Sequence, residues 1–557
     1  MMPGPDHLII APILIPFFAG ALMLVYDERQ RSAKLVISLA SVLATLLVAI
    51  ELLVRAEGSE LVGDNDIGFY LLGDWAAPWG IVLVIDRLSA MMLVLTGLLA
   101  LPALVYAAAA WSRQGQHFYS MFQFLLMGLN GAFLTGDLFN LFVFFELLLA
   151  ASYGLLLHGG GQLRVLGGMH YIAINLAGSL LFLIGVSLIY GATGTLSMAH
   201  LSNIVPTLPE AQRPLLQAGA AFMGLAFLIK AGIWPLSFWL PTAYMAGAAP
   251  VTAMFAIMTK VGVYAILRLV FLLFGASAGV SAGFGGEVLI LGGMATVTFG
   301  FLGVLASQGL GRMAAHMVLV SSGTVLAAAG FVLLGGSVQI LAAALFYLLS
   351  STLAISALFL LIEPMSREEG GIAALLALTA DAYGLDDREE DRQPEVGLAI
   401  PGTLTVLGLA FGACVLVLAG LPPLSGFLGK LGMLQGLLRD GAATPVLSWT
   451  FITLLILSGF ATLLGLVRVG IQTFWASEGE PPQVLALEIA PVIALIGMIL
   501  FLTFKADVTL RYMEKTASAL LRPAIYAEGV LGAPRAADEA EDAAEAAAAA
   551  AAAKEAK

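Results

Sequence analysis

Apolar residues run along this chain in long blocks separated by short polar or glycine-rich joints. Fourteen blocks are long enough for a helix to cross a hydrocarbon core of about 30 Å. They fall at roughly 8–26, 34–54, 81–110, 118–136, 138–157, 168–190, 215–240, 249–273, 286–308, 313–335, 338–362, 401–438, 448–472 and 485–504. The expected fold class is all-α, a polytopic membrane protein with about 14 transmembrane helices. The third and twelfth blocks are long enough to kink or tilt. The first lacks a basic leader and a small-residue cleavage site, so it is expected to be a retained helix and not a signal peptide.

Two blocks carry the same interruption. Ala231-Gly-Ile-Trp-Pro-Leu-Ser in the seventh and Ala419-Gly-Leu-Pro-Pro-Leu-Ser in the twelfth agree at five of seven positions, 188 residues apart. Each is the fourth span of a five-span group, spans four to eight and nine to thirteen. An odd number of crossings turns the second group upside down relative to the first, so two inverted five-helix repeats are expected, each with a Pro-broken helix. Pro235 has no amide hydrogen and clashes with the carbonyl of Ala231; Pro422 and Pro423 act likewise on Leu418 and Ala419. Carbonyls freed inside a bilayer are tolerated only where protein or water satisfies them, so both breaks predict hydrated cavities near mid-membrane. The chain then divides into three N-terminal helices (1–111), a first repeat (112–275), a second repeat with an acidic loop at 363–395 (276–475), a last helix (476–507) and an extramembrane Ala/Glu-rich tail (508–557).

Charge orients this bundle. Arg29, Arg31 and Lys34 follow the first span, Arg113 the third, Arg164 the fifth and Arg312 the ninth, all on one side, which is expected to be cytoplasmic. An even span count returns the C-terminus to the opposite side, although Lys505, Arg511 and Lys515 follow the last span. At 60% hydrophobic and 11% charged, the composition excludes a soluble globular domain. The net charge of -12 comes largely from the acidic loop and the tail after Arg535, both solvated, and implies no nucleic-acid partner. Cys414 is the only cysteine. An intrachain disulfide and a four-thiolate metal or iron–sulfur site are therefore excluded, and any redox chemistry belongs to another subunit. No bound cofactor is expected.

The ionisable residues within the apolar blocks are the candidates for function. A lysine at membrane depth costs about 2.5 to 3.5 kcal/mol on insertion scales, so it marks an ion or proton path by default. Lys230 stands just before the first break, Lys430 after the second, and Lys260 midway through the eighth span. Glu146, in the fifth span, has no charge within a turn and needs a partner from another helix. Lys230 is the expected partner, because an ion pair that opens and closes switches proton affinity. His170 and His316 have two readings each, a relay member or an interfacial histidine near a helix end. Asp137 is expected to cap the fifth helix, and Arg268 to snorkel to the interface.

Around these residues the strings GDLFNLFVFFELLLAASYGLLLHG (Gly136 to Gly159), YIAINLAGSLLFLIG, FLIKAGIWPLSFWLPTAY and LAGLPPLSGFLGK resemble the D subunit of the Mrp (also Pha or Mnh) multisubunit cation/proton antiporter. The resemblance covers roughly residues 5–505. The motifs are shared with the antiporter-like, proton-pumping subunits of respiratory complex I, and DLFNLFVFFE points to the Mrp side. The resemblance implies that Glu146, Lys230, Lys260 and Lys430 are the functional carboxylate and lysines. It also brings out two departures. His170 stands where complex I relatives often have lysine, and the eleventh span has Tyr347 and Ser351 where they usually have histidines. A central chain must then use hydroxyls and water, or cross by Lys260 and His316.

The implied protein is a secondary transporter subunit, not an enzyme. It would move protons against sodium, or potassium or lithium, in the bacterial cytoplasmic (inner) membrane. Its partners would be an A-type antiporter-like subunit and small Mrp subunits. The alternative is a proton-pumping subunit of a redox complex, such as complex I or a membrane-bound hydrogenase; a third reading is a passive scaffold. No span carries two adjacent acids, so no metal site is certain and the cation path is expected partly or wholly in another subunit. The carbonyls freed at the breaks are the candidate cation site in this chain.

Overall fold

The computed structural model describes residues 7–27, 29–58, 67–109, 111, 114–366, 402–439, 445–474, 484–535 and 537–538. Arg113, most of the acidic loop at 363–395 and the Ala/Glu tail from 539 onward lie outside the described residues.

The chain is nearly all helical. In order come α1 (Ala11–Val25), α2 (Arg31–Gly58), a hairpin of β1 (Gly68–Leu71) and β2 (Val82–Ile85), α3 (Arg87–Ala109), α4 (Phe118–Leu134), α5 (Leu138–Leu157) and α6 (Gln162–Thr193). There follow α7 (Met198–Ile204), α8 (Arg213–Ala231), α9 (Trp239–Ala246), α10 (Ala249–Phe274), α11 (Gly286–Ala306), α12 (Leu310–Leu333) and α13 (Val338–Ser366). The last are α14 (Gly402–Ala419), α15 (Ser425–Arg439), α16 (Pro445–Phe474), α17 (Ala486–Phe504), α18 (Ala506–Leu520) and α19 (Pro523–Leu531). Among the described residues, eleven helices are long and apolar enough to cross a membrane, and three shorter apolar helices lie at Ala11–Val25, Phe118–Leu134 and Leu404–Ala419. The protein is a multi-pass membrane protein.

Burial sorts helices that hydropathy alone does not distinguish. The most apolar window of α12 is wholly buried, and those of α10 and α13 are 94% and 89% buried, against 39% for α2 and α6 and 33% for α17. The first three form the central layer and the others the rim. Small residues let helices close on one another, as lipid-embedded packing requires. A side-chain carbon at Gly185 of α6 would stand 2.6 Å from the Met223 nitrogen of α8, and one at Gly293 of α11 would stand 2.6 Å from the Ala327 nitrogen of α12.

The first part of the C-terminal segment is helical. Residues 508–531, expected within an extramembrane tail, form α18 and α19 and pack on the bundle. In α18, Met513, Thr516, Ala517 and Leu520 are buried at helical spacing, while Asp507 and Arg511 pair with each other in the open. The Tyr512 hydroxyl donates to the Arg87 carbonyl at 2.7 Å and Lys515 pairs with Glu57. Since α2 starts at the basic Arg31 and Lys34 and ends beside Glu57, this face is opposite the basic loops. Arg511 and Lys515 therefore lie on the face opposite those loops, each paired with a carboxylate.

Candidate functional site

The two breaks are built alike, and glycine, not proline, ends the first half-helix in each. Helix α8 stops at Ala231 because Gly232 turns left-handed at φ 76°, and α14 stops at Ala419 because Gly420 does the same at φ 76°. The next amide in each reaches back five residues, Ile233 to the Leu228 carbonyl at 3.0 Å and Leu421 to the Leu416 carbonyl at 2.9 Å. Pro235, Pro422 and Pro423 lie in the turns that follow, so the expected clash with helix carbonyls is avoided. Each turn has an amide satisfied by a threonine of another helix. Trp234 N–H donates to Thr296 of α11 at 2.9 Å, and Ser425 N–H to Thr503 of α17 at 3.0 Å.

Lys230, Lys260 and Lys430 are all buried, at 9%, 0% and 7% exposure. The Lys430 ammonium, from α15, donates to the Ala419 carbonyl at 3.1 Å and lies 3.5 Å from that of Leu418, so it satisfies carbonyls that the second break frees. Beside it is a cavity of about 300 Å³ lined by Ala419, Gly420, Phe427, Gly459 and Phe460, otherwise apolar. Lys260 donates to Ser322 of α12 at 2.9 Å.

Lys230 is different. Among the described residues its amine has no hydrogen-bond partner, and it lies 5.8 Å from the centroid of the Phe145 ring. Gly262 lets α10 close on this point; a side-chain carbon there would stand 2.9 Å from Lys230 Cβ. The expected contact ion pair with Glu146 is not formed. Glu146 is only partly buried and accepts a hydrogen bond from Ser179 of α6.

Hydroxyl pairs join successive helices of the central layer. Ser321 of α12 meets Ser351 of α13 at 2.8 Å, and Ser350 of α13 meets Ser425 of α15 at 2.7 Å. Gly429 of α15 packs on Tyr347, a side-chain carbon there falling 2.9 Å from Tyr347 Cβ.

Neither histidine joins this series. His170 is exposed on the outward side of α6, and the inward residue is its neighbour Tyr171, whose hydroxyl meets Ser152 at 2.7 Å. His316 is buried but faces α11, against Gly303 and Phe299, whereas Ser321 and Ser322 lie on other sides of the helix. Asp137 caps α5 as expected, accepting from Asn140 N–H at 2.9 Å. Arg268 does not snorkel. It is buried and forms a two-pronged pair with Asp86 at 2.5 and 2.7 Å. Glu363, at the end of α13, accepts from Trp111 Nε1 at 2.7 Å and from the Ala249 amide at 3.0 Å, which caps α10. The sequence pattern singles out neither carboxylate. The signal that could have found Asp86 is its mate, a second charge at the same outer level of another span.

The family model for the NADH:quinone oxidoreductase/Mrp antiporter transmembrane region matches residues 135–456, which include both breaks and all four of Glu146, Lys230, Lys260 and Lys430. A Rhizobium meliloti protein, a probable K(+)/H(+) antiporter D subunit, is 55% identical over 96% of this chain and 99% of its own length. The chain belongs to the Mrp antiporter D-subunit family. Another member, the Na(+)/H(+) antiporter D subunit of Alkalihalophilus pseudofirmus, is 33% identical over 94% of this chain and 99% of its own. Among solved structures, a chain of the Mrp complex from a Dietzia species superposes with a TM-score of 0.77 at 25% identity, covering 94% of this chain and all of that one.

Proposed function

We propose that this chain is the proton-translocating subunit of a multisubunit monovalent cation/proton antiporter in the bacterial cytoplasmic membrane, a secondary transporter subunit without a bound cofactor. The observation that carries the reading is a set of polar pairs in the bundle interior, Glu146–Ser179, Lys260–Ser322, Ser321–Ser351, Ser350–Ser425 and Lys430 on its break carbonyls, with Lys230 buried at the first break. The helices that carry the lysines and the serine pairs, α8, α10, α12, α13 and α15, pack one on the next from the first broken helix to the second. Buried amines along such a series repel one another when protonated, so a proton arriving at one displaces charge at the next. The like-built breaks support a pair of inverted repeats with one lysine station each, joined by Lys260.

The relatives' names couple protons to potassium in one case and to sodium in another. Here the exchanged cation is sodium or potassium, with lithium as a further candidate, and its path is shared with partner subunits, an A-type antiporter-like subunit and small Mrp subunits. The test is cation-induced proton movement in inside-out vesicles from an antiporter-deficient host expressing the whole gene cluster. Exchange without an electron donor supports the antiporter. Proton movement only with a respiratory donor would give the chain to a redox-driven pump instead.

A further inference from the structure

Lys260, Tyr264 and Arg268 stand at i, i+4 and i+8 on α10, one above another on one helix face, each step about 5.4 Å along the axis. They lead from the centre of the bundle to its outer face. The polar contacts outside Lys260 form a closed set that the series between the lysines does not use. The Tyr264 hydroxyl donates to the Phe133 carbonyl at 2.7 Å, lies 3.0 Å from the Ser89 hydroxyl, and accepts from Arg268 at 3.3 Å. Arg268 also donates to Ser89 at 3.2 Å and holds Asp86 by both prongs. Asp86 accepts in addition from the Ser89 amide at 2.9 Å. Beyond this set, a cavity of about 120 Å³, lined by Asp86, Arg87, Arg268, Leu520 and Tyr526, lies under α18 and α19. At about 30 Å³ per water it holds a few.

We propose that this stripe is an outer proton half-channel, in which Asp86 takes a proton from the cavity and Ser89 and Tyr264 pass it to Lys260. The proposal rests on the antiporter reading above. Charge changes only at the two ends. Asp86 takes the proton on Oδ2 with the Nη1 prong of Arg268 swung away and closes the pair again as it gives the proton up; the Lys260 amine gains one, while each hydroxyl between accepts one proton as it releases another. One turn of α10, about 5.4 Å along the axis, separates Tyr264 from Lys260, and the proposal fills that step with one water. Arg268 is a positioning residue. Its guanidinium stays charged, so it aims Asp86 while repelling a metal cation that would follow the proton inward. Asp86, Ser89 and Tyr526 lie outside the residues that the family model matches. A plain structural brace would use the tyrosine hydroxyl for stability alone, so in an assembled Tyr264→Phe complex it would leave the solvent isotope effect unchanged.

The experiment uses the whole complex in inside-out vesicles and compares Tyr264→Phe, Lys260→Ala and the double variant, with assembly read on a native gel. Tyr264→Phe is expected to assemble normally, to lower exchange about tenfold at unchanged half-saturating sodium, and to alter the D2O effect on rate. Added to Lys260→Ala it should cost nothing further, because the two act in one route. Full exchange with an unchanged solvent isotope effect in assembled Tyr264→Phe, or losses that multiply in the double variant, would overturn the half-channel. Ser89→Ala decides the matter if Tyr264→Phe does not assemble: reduced exchange supports the route and normal exchange overturns it. Wild-type complex that exchanges nothing would instead sink the antiporter reading, and the half-channel with it.

Discussion

The two broken helices share a backbone and differ in what they do with a lysine. Each ends at a left-handed glycine, Gly232 or Gly420, with the same backward amide bond. Under the 188-residue offset, however, Lys230 corresponds to Leu418 and Lys430 to Thr242. Lys430 lies in the half-helix after its break and reaches back to the freed carbonyls. Lys230 lies in the half-helix before, and helical side chains point toward the N-terminus, away from the break. Its amine is left over Phe145, with no hydrogen-bond partner among the described residues. The same interruption thus gives one amine a fixed acceptor and leaves the other to find one. Lys430 is suited to be a station, and Lys230 a switch that Glu146 sets.

The sharpest way to break this contrast is at the switch. Lys230→Ala and Glu146→Gln should each reduce cation-driven proton movement about 100-fold in a complex that still assembles on a native gel. Lys430→Ala should cost less, about tenfold, because the break carbonyls and cavity remain to hold water in place of the amine. Alanine at the glycines separates backbone from side chain. Both positions have positive φ, so Gly232→Ala and Gly420→Ala should each destabilise by about 1 kcal/mol, measured as a lower melting temperature of the purified complex. The new carbon at Gly420 would also press on Lys430 Cδ at 2.6 Å, whereas at Gly232 it meets only Leu319 and Leu240. Exchange should therefore fall in Gly420→Ala beyond what the stability loss explains. Ser179→Ala frees Glu146 from its hydrogen bond and should change the exchange rate by about threefold. His170→Ala, exposed and outside the series, should stay within about twofold of wild type.

Much of the fold was legible because each span announces itself as a run of apolar residues, and a run that long has only one stable form in lipid. The breaks were legible as Ala-Gly followed by proline, although glycine proved to be the terminator. Charges in apolar runs exposed Lys230, Lys260, Lys430 and Glu146. Inside and outside were not legible. In water, a helix's buried side is its apolar side; in lipid both sides are apolar, so nothing in the pattern of α6 tells that Tyr171 and Ser179 turn inward while His170 turns out. Partnerships across the bundle escaped for another reason. Asp86 and Arg268 are 182 residues apart, and only the packing of α3 on α10 brings them together. The amphipathic pattern of α18 could be read, but the Ala/Glu run behind it disguised it as tail.

The bond from Tyr512 to Arg87 joins residues 425 positions apart, and Lys515 reaches back to Glu57 across a still longer stretch. Both fasten the last helices described to the first ones inserted. During synthesis, α2 and α3 must therefore wait in the bilayer, with the outer rim of the Asp86 cavity unbuilt, until nearly the whole chain has left the ribosome. Maturation of this protein is timed from its C-terminus: a chain stalled after α17 would have every candidate span in place and an outer mouth without its cover.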